Sequence, residues 1–518
     1  MMEKEFIMAV DSGTQSVRAI VYDRAGKELT VAQAPHEPYF SLRPGWAEQN
    51  PEDYWKKFCT VVGSVMASKK FDPKKLAALG ITAQRSAIIP TDKNGVPLRN
   101  SIIWLDQRFT ENPPSVNWKV KALFGLIGKS ALINFVQKNS RFTWIYTYEP
   151  DIYKKTHKFC QVTSLFVKRL TGEFKDSCAM YVGYYPLEHK KFDWFKIGGV
   201  MELFNVTEDL LPAIGQPHEV LGTVTKAAAK ETGLPEGLPV IVGGGDKQSE
   251  SLGAGAVTPD IGVISFGTAT AMEIVTRKFV EDRKGRFFTW CSALPYAWNV
   301  ECFIYRGFWM VRWFTQEMGQ REALIAKERN VAPEVVLDEI IRDVPPGCLG
   351  LMLQPYWTPL PSLKFSKGSM IGFGSAHTRA HIYRAILEGM AYELRRLGEL
   401  AQAKTGVPLK ELRVGGGGSR SDMAVQIAAD VFNLPAKRMN THENCAKGAA
   451  IDAAVGTGVF KDFEEAVAAM TKTGKEFHPN EKNHEIYNAL YKDVYLETYG
   501  ALAPLYKRVI KITGYEST

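Results

Sequence analysis

Near its N-terminus the chain reads Phe6-Ile7-Met8-Ala9-Val10-Asp11-Ser12-Gly13-Thr14. A short apolar run that ends at a glycine is typical of a buried strand followed by a tight turn. The backbone N–H groups of such a turn can approach an anion closely, and the threonine hydroxyl adds another donor. The stretch therefore predicts a core strand that ends in an anion-binding turn, with the carboxylate of Asp11 beside it.

A second stretch of the same kind lies in the other half of the chain. There Ile261-Gly262-Val263-Ile264 runs into Ser265-Phe266-Gly267-Thr268, without an acidic residue. Two such turns on opposite sides of a cleft would hold a polyphosphate from both sides. Only the first turn carries an acid, as a metal-bound phosphate requires. This asymmetry indicates an enzyme that uses ATP.

Two glycine runs form a further pair. Residues 238–242 are an apolar strand that leads into Gly243-Gly244-Gly245-Asp246, and residues 412–414 lead into Gly415-Gly416-Gly417-Gly418-Ser419. Again only the first copy ends in an aspartate. A single glycine run is equally well explained as an ordinary turn, but four elements in matched order predict an ancient duplication whose halves acquired different roles.

The composition is that of a soluble globular protein, with 518 residues, 45% apolar and 23% charged, and a net charge of +8. This length predicts two large domains. No Lys/Arg block stands out, so the charge favours phosphorylated small molecules over nucleic acid as partners. No apolar stretch approaches about 18 residues and the N-terminus is charged, so we expect neither a membrane span nor a secretory signal. Seven scattered cysteines without a Cys-x-x-Cys pair favour reduced thiols in the cytoplasm over disulfides or a zinc site.

Strand-like and helical segments alternate along the chain, which predicts an α/β fold. Helical periodicity is clearest in four segments: 52–68, 381–402, 421–432 and 443–455. A run of small residues at 250–257 is followed by the breaking sequence Thr258-Pro259-Asp260. We place the domain boundary there, which gives domains 1–256 and 257–518.

With these residues in hand, the chain resembles the FGGY carbohydrate kinases, a branch of the actin/hexokinase/heat-shock ATPase superfamily. The motifs that carry the resemblance occur in order over nearly the whole chain, so together they are highly specific. They are Asp11–Ser16, Gly45–Trp55, Gly80–Arg85, Trp104–Arg108, Arg169–Glu173, Gly243–Asp246, Ser265–Thr268, Gly368–Gly372 with His381–Gly389, Gly415–Asp422 and Lys447–Ala450.

The resemblance implies two ribonuclease-H-like (actin-like ATPase) domains around a central cleft, which close over ATP, Mg²⁺ and a sugar or polyol. It implies that Asp246 is the general base and that Asp11 positions Mg²⁺ through water. The N-terminal domain would hold the sugar pocket, the base and the Mg²⁺/phosphate turn, and the C-terminal domain the nucleotide. The other expected nucleotide-binding residues are Thr14, Gln15, Arg18, Gly267, Thr268, Gly307, Gly416, Gly417 and Ser421. The expected sugar-pocket residues are Gln84, Arg85, Ser86, Trp104, Asp106 and Lys247.

The substrate expectation rests on departures from the patterns of related kinases. Glycerol kinases have Gln-Arg-Glu where this chain has Gln84-Arg85-Ser86, and Asp-Gln where it has Asp246-Lys247. Xylulokinases place Met-His-Gly at the first of these positions. The Trp46–Trp55 and Gly243–Asp246 motifs lean toward the ketopentose branch, whereas the Gln84-Arg85 pair leans toward the glycerol branch. We therefore expect a kinase for a ketopentose such as xylulose, with glycerol or another polyol as the alternative.

An alternative of another class is an actin-like or heat-shock-like ATPase without a sugar substrate. The discriminating features are Asp246 and the pocket motifs between Gln84 and Arg108, which a pure ATPase does not need. The implied partners are the sugar or polyol and ATP, and a homodimer is left open because many relatives are dimers or tetramers.

Overall fold

The computed structural model describes residues 4–126, 128, 130–183, 185–196, 199–360 and 362–515. The chain forms two compact units. The first contains the chain up to Val257 together with Trp290–Trp298 and Glu443–Thr471, and the second contains Thr258–Thr289, Asn299–His442 and the chain from Lys472 onward. The assignment of functions to domains 1–256 and 257–518 stays a prediction.

Strands and helices alternate throughout both units. The strands are β1 (Phe6–Ser12), β2 (Ser16–Asp23), β3 (Glu28–Pro35), β4 (Glu48–Gln49), β5 (Leu76–Ala83), β6 (Ile89–Thr91), β7 (Ser101–Ile102), β8 (Lys158–Cys160), β9 (Lys175–Ser177), β10 (Leu187–Glu188), β11 (Asp193–Trp194), β12 (Ala213–Gly215), β13 (Val220–Thr223), β14 (Pro239–Gly245), β15 (Ile261–Phe266), β16 (Thr270–Thr276), β17 (Phe288–Cys291), β18 (Trp298–Ile304), β19 (Met352–Gln354), β20 (Ser369–Ile371), β21 (Glu411–Gly415), β22 (Ala436–Met439) and β23 (Thr473–Phe477).

The α-helices are α1 (Pro51–Met66), α2 (Trp118–Leu126), α3 (Ser130–Asn139), α4 (Arg141–Tyr148), α5 (Pro150–Lys155), α6 (Val162–Thr171), α7 (Lys226–Thr232), α8 (Asp246–Gly253), α9 (Trp309–Glu317), α10 (Gln320–Arg329), α11 (Pro333–Ile340), α12 (Arg379–Thr405), α13 (Asp422–Phe432), α14 (Asn444–Gly456), α15 (Phe463–Met470), α16 (Glu481–Leu490) and α17 (Leu496–Thr513). The four segments with clear helical periodicity correspond to α1, α12, α13 and α14, which confirms those predictions. Within the part of the chain that the structure describes, no helix combines the length and apolar character needed to cross a bilayer.

One five-strand order occurs in both large sheets. It is β3-β2-β1-β5-β14 in the first unit and β18-β16-β15-β21-β22 in the second. In the first sheet β1 pairs antiparallel with β2 and parallel with β5. In the second sheet β15 pairs antiparallel with β16 and parallel with β21. This is the ribonuclease-H-like arrangement that the resemblance implies, and it confirms the predicted α/β fold class.

The strand order shows that one predicted equivalence between the two halves of the chain is wrong. The matched turns after β1 and β15 are equivalent, but the two glycine runs are not. The strand before Gly416, β21, lies next to β15 and therefore corresponds to β5, whereas β14 lies one position further out and corresponds to β22. The apparent match arose because both strands end in glycine, and glycine follows many buried strands without marking a particular place in the sheet.

Helix α14 belongs to the first unit although it lies far along the sequence. Its alanines join a core cluster with Ile7, Ala78 and Ile241, which lie on β1, β5 and β14. The helix lies very close to this sheet, since a Cβ on Gly80 would be 2.2 Å from the carbonyl oxygen of Ala449. The first unit is therefore completed by a segment that the chain supplies after most of the second unit.

Asp452 of α14 is a fully buried carboxylic acid in this core. Within the described residues neither of its oxygens has a hydrogen-bond partner, and burial, reinforced by the nearby Cys178, raises its pKa well above the ordinary value of 3.8. A group with a raised folded-state pKa binds more protons when folded, so its contribution to stability is lost as pH rises from about 4 through the folded pKa.

We expect Asp452→Asn, which keeps the shape and removes the titration, to gain stability relative to wild type as the pH rises. Thermal unfolding at a series of pH values from mildly acidic to mildly alkaline measures this difference. The exposed Asp493→Asn is the control for the exchange of aspartate for asparagine itself. A difference in Tm between Asp452→Asn and wild type that stays constant or shrinks as the pH rises would contradict the prediction.

Candidate functional site

Two aspartates leave the same edge of the sheet in the first unit. Asp11 is the penultimate residue of β1, and Asp246 is the first residue of α8, directly after β14. Both strands run parallel to β5, which lies between them. The carboxyl ends of parallel strands meet at one edge, where α/β proteins bind ligands. The structure thus brings together the two acids that the sequence singled out.

Asp11 has an environment suited to a cation. Its residue is 9% exposed, and within the described residues its Oδ1 atom is buried without a hydrogen-bond partner. Burial, followed by the charge of Asp246, raises the pKa of Asp11 to about 7, although Arg18 acts in the opposite direction. A bound cation would stabilise the ionised form. The described residues contain no cluster of three or more His, Cys, Asp or Glu that could hold a metal ion.

Asp246 is more accessible than Asp11. Its side chain is 37% exposed, and its Oδ1 atom lies 3.2 Å from Nε of Arg85. The same oxygen accepts the backbone N–H of Lys247 at 2.9 Å. Arg85 passes across Gly245, where a Cβ would be 2.3 Å from the arginine Cγ. A residue with a side chain at 245 would therefore push Arg85 away from the carboxylate.

Lys247 and Glu250 form an ion pair one turn into α8. The Nζ atom of Lys247 donates to Oε2 of Glu250 at 2.7 Å. Burial opposes the charge of Lys247, but the carboxylates of Glu250 and Asp246 more than offset it and raise the lysine pKa above its ordinary value. Glu250 was missed by the sequence reasoning, and its position four residues after Asp246 on a helix was the signal available.

A hydrogen-bond chain connects the first turn to the expected sugar pocket. Nε1 of Trp104 donates to Thr14 Oγ1 at 2.9 Å, and that hydroxyl donates to Oε1 of Gln84 at 3.0 Å. Gln84 continues the chain to Gln49 at 3.3 Å, and Tyr54 donates to the same Gln49 oxygen at 2.8 Å. Trp104 is 46% exposed, so its indole can contact a ligand while its N–H fixes the turn.

Gln15 lies in the turn after β1, and Arg18 lies on β2, which follows it. Arg18 pairs with Asp11 across the β1–β2 ladder, and its Nε atom lies 3.5 Å from Oε1 of Glu443. The side chain of Gln15 is exposed. Glu443 was not predicted, because no local pattern indicates that a residue so distant in sequence reaches β2.

Two residues that were expected to contact the substrate make hydrogen bonds to other parts of the protein. Both carboxylate oxygens of Asp106 accept hydrogen bonds from Arg108, and Oδ2 also accepts the N–H of Ala47 at 2.7 Å. The Asp106 side chain is fully enclosed. In this structure it organises its loop and is not open to a ligand. Ser86 has a left-handed backbone with φ of 60°, and its N–H donates to Gln161 Oε1 at 3.1 Å.

In the second unit three glycine positions come together. The N–H groups of Phe308 and Trp309 donate to the carbonyls of Gly267 and Thr268, each at 3.1 Å. A Cβ on Gly307 would lie 2.0 Å from Thr270 Oγ1. Gly416 has φ of 78°, and a Cβ there would lie 2.8 Å from the carbonyl of Phe266. At Gly417, in contrast, no atom of the described residues lies within 4 Å of such a Cβ, so the space next to it is open.

Ser421 has a structural task in the second unit. Its hydroxyl donates to Asp338 Oδ1 at 2.7 Å and accepts the N–H of Ala424 at 2.9 Å, which caps α13. The residue is fully buried. In this structure its side chain is committed to the helix N-terminus, so its predicted contribution to adenosine binding stays an untested expectation.

Comparison with known proteins identifies relatives along almost the whole length. The chain is 31% identical over 496 residues to an uncharacterized sugar kinase, YgcE, of Escherichia coli (strain K12), covering 95% of this chain and 93% of the relative. It is 29% identical over 504 residues to a glycerol kinase of Thermococcus kodakarensis, covering 95% and 96%. A solved structure of a xylulose kinase from Rhodospirillum rubrum matches with a TM-score of 0.82 at 25% identity, covering 97% and 100%.

These relatives and the two ribonuclease-H-like units define a kinase that acts on small carbohydrates, which is a phosphotransferase. The family models for the N-terminal and C-terminal domains of the FGGY family of carbohydrate kinases match residues 6–253 and 262–457. The chain belongs to the FGGY family of carbohydrate kinases. Membership confirms the predicted resemblance and implies ATP as the phosphoryl donor.

Proposed function

We propose that this chain transfers the γ-phosphoryl group of ATP to a hydroxyl of a ketopentose such as xylulose, with Asp246 as the general base. The observation that carries the proposal is the difference between the two acids on one sheet edge. Asp11 is nearly buried with an unsatisfied oxygen, whereas Asp246 is open and fixed by Arg85. Two carboxylates in contrasting environments are suited to two different tasks.

In this mechanism the substrate hydroxyl approaches Oδ2 of Asp246. Arg85 and the Lys247 N–H occupy Oδ1, and among the described residues Oδ2 receives no hydrogen bond. The hydroxyl transfers its proton to this oxygen as its bond to the γ-phosphorus forms and the bond from that phosphorus to the β,γ-bridging oxygen breaks, which releases ADP. Arg85 keeps the carboxylate oriented. Asp11 would hold Mg²⁺, which when bound neutralises phosphate charge.

The remaining site assignments are part of the same proposal. Gln84 and Trp104 would line the sugar pocket, and Thr14, Gln15 and Arg18 would lie along the phosphates. The open backbone at Gly417 and the turn at Gly267-Thr268 would contact the nucleotide. The exposed indole of Trp104 supports its assignment to the sugar pocket. Its N–H donates to Thr14, which connects that pocket to the turn assigned to the phosphates.

A substrate panel tests the proposal. Purified protein with MgATP is given pentuloses, hexuloses, pentitols, erythritol and glycerol, and ADP release and the mass of the phosphorylated product are measured. We expect the highest kcat/KM with a ketopentose. A maximum with glycerol would establish the polyol alternative, which the glycerol kinase relative and the Gln84-Arg85 pair favour. ATP hydrolysis that is indifferent to every compound would instead support an ATPase without a sugar substrate.

A further inference from the structure

A buried histidine contacts the turn that follows β1. His36 follows β3 directly, and its side chain is fully enclosed. Its Nε2 atom lies 3.2 Å from the hydroxyl of Ser12, and its Nδ1 atom lies 3.3 Å from Oδ2 of Asp53. Its backbone N–H donates to the carbonyl of Gln15 at 2.9 Å. One residue thus holds both ends of the segment Ser12–Gln15.

The chemistry of the side chains determines which group donates in each of the hydrogen bonds from Ser12 to His36 and from His36 to Asp53. The carboxylate of Asp53 only accepts, so Nδ1 carries the proton that faces it. Burial lowers the pKa of His36, against the opposing effect of Asp53, so the imidazole is neutral at neutral pH. Nε2 is then an acceptor, and the Ser12 hydroxyl donates to it. The hydroxyl of Ser12 is thereby committed to one rotamer.

Ser12, His36 and Asp53 are the residue types of a hydrolytic triad, but they cannot act as one. Ser12 is fully buried, so its hydroxyl cannot reach a substrate carbonyl, and geometry defines a triad's role. What the three residues do share is a location directly next to Asp11 and the turn after it. The N–H of Gln84 also donates to the Ser12 carbonyl at 2.9 Å.

We propose that His36 is a positioning residue that holds the turn Ser12–Gln15 in its phosphate-binding geometry, with Asp53 fixing the orientation of the imidazole. The inference rests on the proposed function, because it assigns the turn to the nucleotide phosphates. Its effect is larger on the nucleotide than on the sugar, because the turn would contact the phosphates directly and reaches the sugar pocket only through Trp104 and Gln84. Each lost hydrogen bond at such a buried site is worth about 1 kcal/mol, which corresponds to roughly a five- to tenfold change in affinity.

The test uses the full-length protein and three variants at these positions. His36→Phe keeps the ring that packs edge-on against Tyr54 at 5.2 Å and removes both side-chain hydrogen bonds. We expect the KM for MgATP and the Kd for MgADP, measured by calorimetry, to rise about tenfold while the KM for the sugar changes less than twofold. Asp53→Leu, which removes the oxygen that accepts the Nδ1 proton, should produce the same split, and the double variant should be no worse than either single one, as expected for groups acting in series. His36→Gln, whose amide oxygen can accept the Ser12 proton, should recover part of the affinity.

His484→Phe is the matched control. It removes an imidazole that contacts the carbonyl of Asp430 at 2.9 Å in the second unit, and it should lower the Tm without changing either KM. The inference is overturned if His36→Phe lowers only the Tm, or raises both KM values equally. Failure of the wild-type protein to bind MgADP or to phosphorylate any sugar would instead overturn the proposed function, so the two failures are distinguishable.

Discussion

Asp246→Asn is expected to lower kcat by about 10²–10⁴-fold, the usual contribution of a positioned proton acceptor. An amide has nearly the same shape but cannot take the proton of the attacking hydroxyl. The backbone position at the start of α8 and the contact to Arg85 are retained in part, so MgADP binding should persist. Single-turnover kinetics with MgATP and the best sugar of the panel, together with calorimetric MgADP titration, measure both quantities.

The matched control is Glu52→Gln. Glu52 is also an acid in the first turn of a helix, and it is also held by an arginine, with Arg169 Nη1 donating to Oε2 at 2.9 Å. It therefore reproduces the lost charge and lost ion pair at a place outside the proposed site, and its kcat should stay near that of wild type. Asp246→Asn with near-normal turnover would show that another group removes the proton.

Gly448→Ala should destabilise the first unit by about 1–3 kcal/mol. A Cβ at this position of α14 would lie 1.9 Å from the carbonyl oxygen of Ser249 in α8. The reverse contact is equally close, because a Cβ on Gly253 would lie 1.9 Å from the carbonyl of Asn444. Replacing glycine by alanine inside a helix normally gains up to about 1 kcal/mol, but overpacking of this severity exceeds that gain.

The expected consequence reaches the proposed active site, because α8 begins at Asp246. The variant should show a lower Tm and a lower kcat together, measured by thermal unfolding and by steady-state kinetics. Gly500→Ala in α17 is the control, since no atom in the described part of the chain lies within 4 Å of a Cβ there, and it should be neutral or stabilising. An unchanged Tm for Gly448→Ala would mean that the two helices separate without cost.

Much of the fold could be predicted from local patterns. The strand Phe6–Ser12 is marked by its continuous apolar run, and the helix Arg379–Thr405 by its periodicity and by capping at Thr378 and Gly406. The matched turns after β1 and β15 predicted the repeated sheet. The equivalence of the two glycine runs was wrong, because strand order depends on pairing between distant segments, and a glycine does not encode its neighbour in the sheet.

The candidate site was predictable in its acids but not in its partners. Asp11 and Asp246 stand out because each lies where an apolar strand meets a glycine-containing turn or run. The contacts Arg85–Asp246 and Arg18–Glu443 join segments more than 150 residues apart, and no local pattern indicates them. Asp106 and Ser421 show the converse, since a residue in a family motif can be fully occupied by its own loop or helix.

The late arrival of α14 affects how the chain can fold during synthesis. The ribosome completes the segment up to Val257 long before it reaches Glu443–Thr471, the piece that closes the same unit. At translation rates of about 5–20 residues per second, the intervening stretch takes on the order of 10–40 s to emerge. Throughout that interval the apolar surface formed by Ile7, Ala78 and Ile241 has no covering helix, so nascent chains of this length are natural clients for chaperones that bind exposed hydrophobic surface.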